Sequence, residues 1–274
     1  MREIELSTNE KQAQQLADAF RADHGLDDGP IKDMHELVHV TKGIDVISMN
    51  VPETEHGLSM CDSATGRVVI AVATTPYPMR QRSSIAHELG HVVAGDLKRD
   101  LRLVPGKRSS AEIRADAFAR HLLLPLNGVR HRIPGDAPGG VALSVLSDLV
   151  QEFEVSPSIA AIQLRMVGLI DAGTCAAWSS RSAANLATTF GWGSQYRSLI
   201  SDSSAPRAPQ ALMARAVEGY QRGVLGITEL AAWYGQDASE LENELGATPS
   251  ADHDDEWDDD APLFPGDGQK EPIW

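Results

Sequence analysis

The sequence predicts an α+β fold in which a small antiparallel sheet and its helices are followed by a helical second half and an acidic tail. Three short segments between residues 44 and 73 are rich in branched apolar residues or alternate in polarity, as β-strands do. Apolar side chains recur at helical spacing on both sides of these segments. From residue 247 onward, acidic residues, proline and glycine replace the aliphatic ones, which is typical of a disordered segment.

The first part of the chain supplies this sheet and two helices. Apolar spacing predicts a helix over 9–24, ended by Gly25, and a shorter one over 30–38. Period-two patterns predict strands at 44–49, 57–61 and 67–73. An exposed edge of such a sheet can hold an extended peptide by strand addition.

A helix over 82–95 carries the most informative motif of the chain. His87 and His91 are four residues apart and project from one face of a helix, so two imidazole nitrogens can bind one Zn²⁺. Glu88 lies beside them, where a carboxylate can act as a general base without being a ligand. The neighbouring residues are apolar, which predicts a buried helix that ends at Gly95.

A third ligand is predicted on the next helix, which runs from a serine cap at Ser109 to a stop at Pro125. Glu112 can complete a His₂Glu site that keeps one position open. Asp116 lies one turn further along the same face and can accept a hydrogen bond from a ligating histidine. A competing interpretation is that Ser109 and Glu112 form a capping box.

Other third-ligand schemes fit less well. A metzincin-like pattern needs glycine and then histidine or aspartate at fixed offsets after the second histidine. Gly95 and Asp96 each lie one residue away from those positions. His121 is predicted on the opposite side of its helix from Glu112, as a partly buried or surface histidine.

These residues resemble the ImmA/IrrE family of gluzincin-like metallopeptidases. The resemblance covers about residues 30–127 and is carried by Arg-x-x-Ile-Ala-His-Glu-Leu-Gly-His and by Glu-x-x-x-Asp-x-Phe-Ala-x-x-Leu-Leu-x-Pro. It implies a zincin-like catalytic domain with His87, His91 and Glu112 as zinc ligands and Glu88 as the catalytic carboxylate. It also implies that the substrate is a helix-turn-helix repressor, cleaved after stress or a mobile-element signal. Asp116 stands where the family often has asparagine.

The predicted organisation has three parts: a metallopeptidase domain at 1–130, a helical region at 141–246 and a disordered tail at 247–274. Helices at 143–153 and 157–167 resemble a helix-turn-helix. The second of them offers only Gln163 and Arg165 as long polar side chains for DNA, so direct DNA binding is disfavoured. The segment 175–204 is expected to pack on the C-terminal part.

Composition argues against a secreted, membrane or nucleic-acid-binding protein. The chain has only two cysteines, no signal-peptide pattern and no apolar run of membrane length, so a cytoplasmic protein is expected. The net charge of −15 also disfavours nucleic acid. Twelve acidic residues against one lysine between Glu240 and Trp274 supply most of that charge, and a basic segment lies at 98–108.

The sequence therefore predicts a zinc-dependent endopeptidase whose partner is a protein substrate, a DNA-binding repressor. The alternative is a non-catalytic regulatory protein that sequesters or displaces a repressor. The presence of Glu88 disfavours that alternative, because binding alone does not need a general base.

Overall fold

The computed structural model describes residues 7–51, 57–61, 66–98, 109–133 and 140–246. The acidic tail and most of the basic segment at 98–108 lie outside these described residues. The chain divides into two compact units, Met1–Met213 and Ala214–Trp274. The elements in chain order are α1 (Thr8–Asp23), α2 (Met34–Lys42), β1 (Asp45–Met49), β2 (Gly57–Cys61), β3 (Val68–Ala73), α3 (Pro78–Ala94), α4 (Ser110–Leu123), α5 (Leu126–Arg132), α6 (Leu143–Phe153), α7 (Pro157–Met166), α8 (Ala172–Ser179), α9 (Ala183–Thr189), α10 (Gly193–Ser204), α11 (Gln210–Gln221), α12 (Ile227–Tyr234) and α13 (Ala238–Leu245).

The α+β class is confirmed, but the expected antiparallel sheet is wrong, because the sheet is mixed. The strand order is β1-β3-β2, with β3 parallel to β1 and antiparallel to β2. The last strand in sequence is the central one because it is the most apolar, and a central strand is covered on more sides than an edge strand. Ile70 and Val72 of β3 are buried, whereas Leu58 and Met60 of the edge strand β2 are exposed. The mixed order makes β2 an edge of the sheet.

The core of the first unit lies between the sheet and the helices that carry the candidate site. Helix α4 packs against both α1 and α3, and α3 packs against β2 and β3. Ile85 and Leu89 of α3 are fully buried, as is Leu122 of α4. The face of α3 that does not enter this core is therefore free to carry polar side chains beside the sheet.

Helices α6 to α10 belong to the same hydrophobic core, because Leu146, Leu164 and Trp192 join one cluster with Leu89 and Phe118. The segment 175–204 forms parts of three helices, α8 to α10, which pack on α7, α6 and α3 respectively. The core is continuous across the predicted boundary between 130 and 141. The division into domains at 1–130 and 141–246 stays a prediction. Its boundaries differ from those of the two compact units, which meet between Met213 and Ala214.

Helix α7 does not present a polar reading face. Its bounds agree with the predicted helix, with Ser156 as the N-cap that accepts a hydrogen bond from the Ile159 amide. Gln163, considered above as a possible DNA contact, is fully buried and donates to the carbonyl of Leu124. A buried amide cannot reach a base edge, so the structure removes one of the two polar side chains that a recognition helix needs here.

The second unit holds the end of α11 together with α12 and α13. Its small core consists of Ala216, Tyr220, Leu230, Ala231 and Leu241. Helices α12 and α13 pack on one another, as expected for a compact helical set. Within the described part of the chain, no helix has both the length and the apolar character needed to cross a membrane.

A partly buried ion cluster joins α1 to α4. Glu10 of α1 accepts hydrogen bonds from Arg120 at 2.6 Å and from His121 Nε2 at 2.7 Å. His121 is 1% exposed, so the expectation of a partly buried or surface histidine is wrong. Gln163 donates to the other ring nitrogen of His121, which leaves the Nε2 proton for Glu10. Burial alone would raise the pKa of Glu10, but the bonds from His121 and Arg120 outweigh it and lower that pKa to about 2.

This pKa predicts how the stability of the fold depends on pH. The folded-state pKa of Glu10 lies below its usual value of 4.5, so its contribution is present above that pH and is lost as pH falls toward about 2. Glu10→Gln should lower the free energy of unfolding at pH 7 by about 1–3 kcal/mol, because buried donors lose an ionised acceptor.

Urea unfolding of both proteins at pH 7 and pH 3 measures this effect. The gap between wild type and Glu10→Gln should narrow at the lower pH. Glu152→Gln is the matched control, because Glu152 pairs with Arg132 at the surface, where such pairs contribute about 0–1 kcal/mol. A gap at pH 7 no larger than that of the control would contradict the assignment.

Candidate metal centre

Helix α3 presents both histidines of the motif toward the sheet. It begins at Pro78, a residue suited to the first helical position, and ends at Gly95, whose φ of 70° lies in the left-handed region. His87 and His91 are one turn apart with ring centroids 4.9 Å from each other. Ile85 and Leu89 bury the opposite face of α3 in the core, so the two rings lie on the other face, next to Glu112 of α4.

Helix α4 brings the carboxylates to these histidines. A Cβ at Gly90 of α3 would lie 3.0 Å from Phe118 and 3.3 Å from the Ala115 backbone, so glycine allows the two helices to approach closely. Ser109 caps α4 and accepts a hydrogen bond from the Glu112 amide at 3.1 Å. The side chain of Glu112 extends to the histidines instead, so the capping interpretation explains its backbone but not its carboxylate.

Three potential ligand groups converge at one point. The two Nε2 atoms of His87 and His91 are 3.1 Å apart, and each lies 3.3 Å from an oxygen of Glu112. Ligands bound about 2.0–2.1 Å from a tetrahedral ion stand about 3.3–3.4 Å from one another. Within the residues that the structure describes, this is the one group of three or more His, Cys, Asp or Glu side chains able to hold a metal ion.

The outer nitrogens of both rings face carboxylates. His87 Nδ1 lies 2.8 Å from Asp116, the partner that the sequence predicted, and His91 Nδ1 lies 3.3 Å from Asp96. With a proton on Nδ1 shared with these carboxylates, each Nε2 presents a lone pair to the convergence point. Three facing acceptors repel one another unless a cation lies between them, so the donor set fits a metal ion.

The electrostatics of the cluster also favour a positive charge. Burial lowers the pKa of His87, but the hydrogen bond to Asp116 and the charges of Asp116, Glu88 and Glu112 outweigh it and raise that pKa above its usual value. The field that stabilises a proton on the ring would stabilise a metal cation in the same place.

Sequence reasoning missed Asp96 as a partner of His91. It was considered only as a misplaced ligand in a metzincin-like pattern. Asp96 follows the C-terminal turn of α3 at Gly95 and begins a short 3-10 helix, Asp96–Lys98. In this position the Asp96 carboxylate lies next to the His91 ring. The available signal was an acidic residue directly after the glycine stop.

Glu88 lies beside the cluster and is held by the edge strand. It is 8% exposed, and its Oε2 accepts a 2.6 Å hydrogen bond from the hydroxyl of Ser59 on β2. A Cβ at Gly57 would lie 3.1 Å from Glu88 Oε1, so a glycine in this strand leaves room for the carboxylate. Ser59 is a second contact that the sequence analysis did not identify.

A cavity of about 1080 Å³ contains the cluster and runs along β2 and α3. Its lining combines the histidines and acidic groups with apolar side chains, most of which belong to the sheet. These apolar residues are Met49, Val51, Leu58, Met60, Ala71, Val72, Ala73 and Leu97. The chemistry of this lining therefore suits a ligand that has both polar groups and apolar side chains.

A His-Glu-x-x-His helix, a glutamate from the following helix and an adjacent edge strand together define a metallopeptidase-type domain. Residues 41–165 match the family model Peptidase_M78, described as the IrrE N-terminal-like domain. This match supports the resemblance to the ImmA/IrrE family of metallopeptidases over these residues. The matched region contains α3, α4 and the whole candidate centre. No curated protein sequence matches the chain significantly.

The Asp116 contact predicts a graded effect on metal binding. Asp116→Ala removes the acceptor for His87 Nδ1, so zinc affinity should fall by about 10–100-fold without being abolished. Competition with a chromophoric chelator measures this change. An affinity equal to that of wild type would show that Asp116 does not orient the ring.

Proposed function

We propose that this protein is a zinc-dependent endopeptidase that cleaves a helix-turn-helix repressor or a similar regulatory protein and thereby relieves repression. His87, His91 and Glu112 hold the zinc ion, and Asp116 orients His87. Glu88 is the catalytic carboxylate. The family match over residues 41–165 supports a peptidase, and the geometry of the cluster supports the metal and the assignment of its ligands.

Zinc in this position supplies Lewis-acid chemistry, because it lowers the pKa of water to about 7 and polarises a carbonyl oxygen. Glu88 takes the proton from the attacking water and delivers it to the leaving amine. Its hydrogen bond from Ser59 keeps the carboxylate directed into the cavity. The Nδ1–H groups of His87 and His91 donate to Asp116 and Asp96, so the Nε2 lone pairs of both rings face the position that the metal would occupy.

The edge strand gives a physical reason for a polypeptide substrate. Strand β2 pairs with β3 on one side, and no other strand of the described residues pairs with its second edge. An extended peptide can bind such an edge through backbone hydrogen bonds. Leu58 and Met60 are 55% and 50% exposed on the same strand and provide apolar contacts for substrate side chains. A protein segment that opens into an extended form fits this surface.

The observation that carries the proposal is the convergence of two Nε2 atoms and one carboxylate within 3.3 Å, with Glu88 beside them in one cavity. In a cluster that only stabilised the fold, three acceptor groups directed at one point would repel one another. A protein that only binds its partner does not require a general base next to these three groups. Peptide hydrolysis requires both features.

Coexpression of the full chain with the repressor encoded by a neighbouring gene tests the proposal. We expect a repressor fragment that forms with wild type and not with Glu88→Gln at equal protein levels. Chelation of zinc in the purified mixture should also stop its formation, and added zinc should restore it. Relief of repression without any fragment would favour the sequestering protein described above.

A further inference from the structure

The His91 half of the centre differs from the His87 half in how its carboxylate partner is held. Asp116, the partner of His87, is 39% exposed, whereas Asp96, the partner of His91, is 3% exposed. Removing an ionised carboxylate from water is unfavourable unless the carboxylate is paired and hydrogen-bonded. The buried Asp96 therefore needs a partner besides the imidazole.

That partner is Arg114. Its Nη2 atom donates to both oxygens of Asp96, at 2.7 and 2.9 Å, and its side chain is only 16% exposed. A charge-assisted pair of this kind fixes a carboxylate more firmly than a single neutral hydrogen bond does. With both oxygens engaged by the guanidinium, Oδ2 is held in place facing His91 Nδ1.

The pair also joins the two helices that form the centre. Asp96 follows the end of α3, whereas Arg114 lies on α4, two residues after the candidate ligand Glu112. The chain between them includes residues 99–108, which the structure does not describe. The Arg114–Asp96 contact thus joins the residue after the end of α3 to α4, next to His91.

We propose that Arg114 and Asp96 are positioning residues of the metal centre: Arg114 fixes the Asp96 carboxylate, which orients the His91 ring so that its Nε2 atom points at the metal. The inference rests on the proposed zinc site. It assigns Arg114 a role in zinc affinity that it exerts only through Asp96, since its guanidinium contacts the carboxylate and not a ligand.

The test is zinc affinity of the full chain, measured by chelator competition for Asp96→Asn, Arg114→Met, Arg114→Lys and the double variant. Asp96→Asn should weaken zinc binding by about 10–100-fold, as the loss of an outer partner usually does. Arg114→Met should weaken it several-fold, and Arg114→Lys should recover part of that loss. In the Asp96→Asn background, Arg114→Met should have no further effect, because the residue it acts through is already changed.

Arg120→Met is the matched control. Arg120 lies on the same helix and pairs with the carboxylate of Glu10 at 2.6 Å, at a similar exposure of 15%, but remote from the metal cluster. Its removal should lower the thermal midpoint of the metal-free protein and leave zinc affinity unchanged. If Arg114 were only a structural ion pair, its variants would behave in the same way as this control.

Two results separate failure of this inference from failure of the proposed function. Wild-type protein that binds no zinc would overturn the metal centre, and the positioning role with it. Wild-type protein that binds one zinc, with Asp96→Asn binding it equally tightly, would overturn the positioning role alone. Additive losses in the double variant would likewise show that Arg114 does not act through Asp96.

Discussion

Glu112→Ala is expected to remove zinc from the protein under conditions in which wild type retains one ion per chain. Glu112 offers one oxygen at 3.3 Å to each histidine and is one of only three protein ligands in the proposed centre. The loss of affinity should therefore exceed the roughly 10–100-fold that follows the loss of an outer partner such as Asp116. Elemental analysis of the dialysed protein, together with chelator competition, measures the change.

Ser109→Ala provides the control for this prediction. Ser109 caps the same helix through the Glu112 amide but does not contribute to the metal cluster. Its replacement should cost about 0.5–2 kcal/mol of stability, as the loss of a helix cap does, with zinc binding preserved. Full zinc occupancy in Glu112→Ala would contradict the ligand assignment and return Glu112 to the capping box.

Glu88→Gln is expected to reduce the rate of cleavage by about 10²–10⁴-fold while zinc and substrate are still bound. Glutamine has the same shape as glutamate, and its amide oxygen can still accept the hydrogen bond from Ser59. It cannot take a proton from water, so only the chemical step is affected. Single-turnover cleavage at saturating enzyme isolates that step from binding.

Ser83→Ala is a suitable control for the Glu88 variant, because Ser83 lines the same cavity but donates its hydroxyl to the Met79 carbonyl. Its rate should stay close to that of wild type. A Glu88→Gln protein that cleaves at the wild-type rate would show that another group carries the proton.

Helices α3 and α4 could be predicted because the sequence features that define them lie close together along the chain. The i and i+4 spacing of the histidines fixes their common face, and the same spacing relates Glu112 to Asp116. Helix stops at Gly95 and Pro125 have direct stereochemical causes. The structure brings His87, His91, Glu112, Glu88 and Asp116 together in the lining of one cavity.

The features that could not be predicted depend on contacts between distant segments. The order of strands in the sheet is set by which strand is most deeply covered, and no short window of sequence reveals that β3 inserts between β1 and β2. The partnership of Asp96 with Arg114 and of Ser59 with Glu88 likewise arises only when separate elements pack together. The burial of Gln163 could not be predicted either, because it depends on how α7 packs into the core.

The mass spectrum of the repressor, recorded after it has left its operator DNA in the presence of this protein, tests the central claim most directly. Zinc-dependent hydrolysis predicts two fragments whose masses sum to that of the repressor plus one water, and no fragments with Glu88→Gln. A repressor that leaves the DNA at full length, equally with wild type and with Glu88→Gln, would contradict the claim.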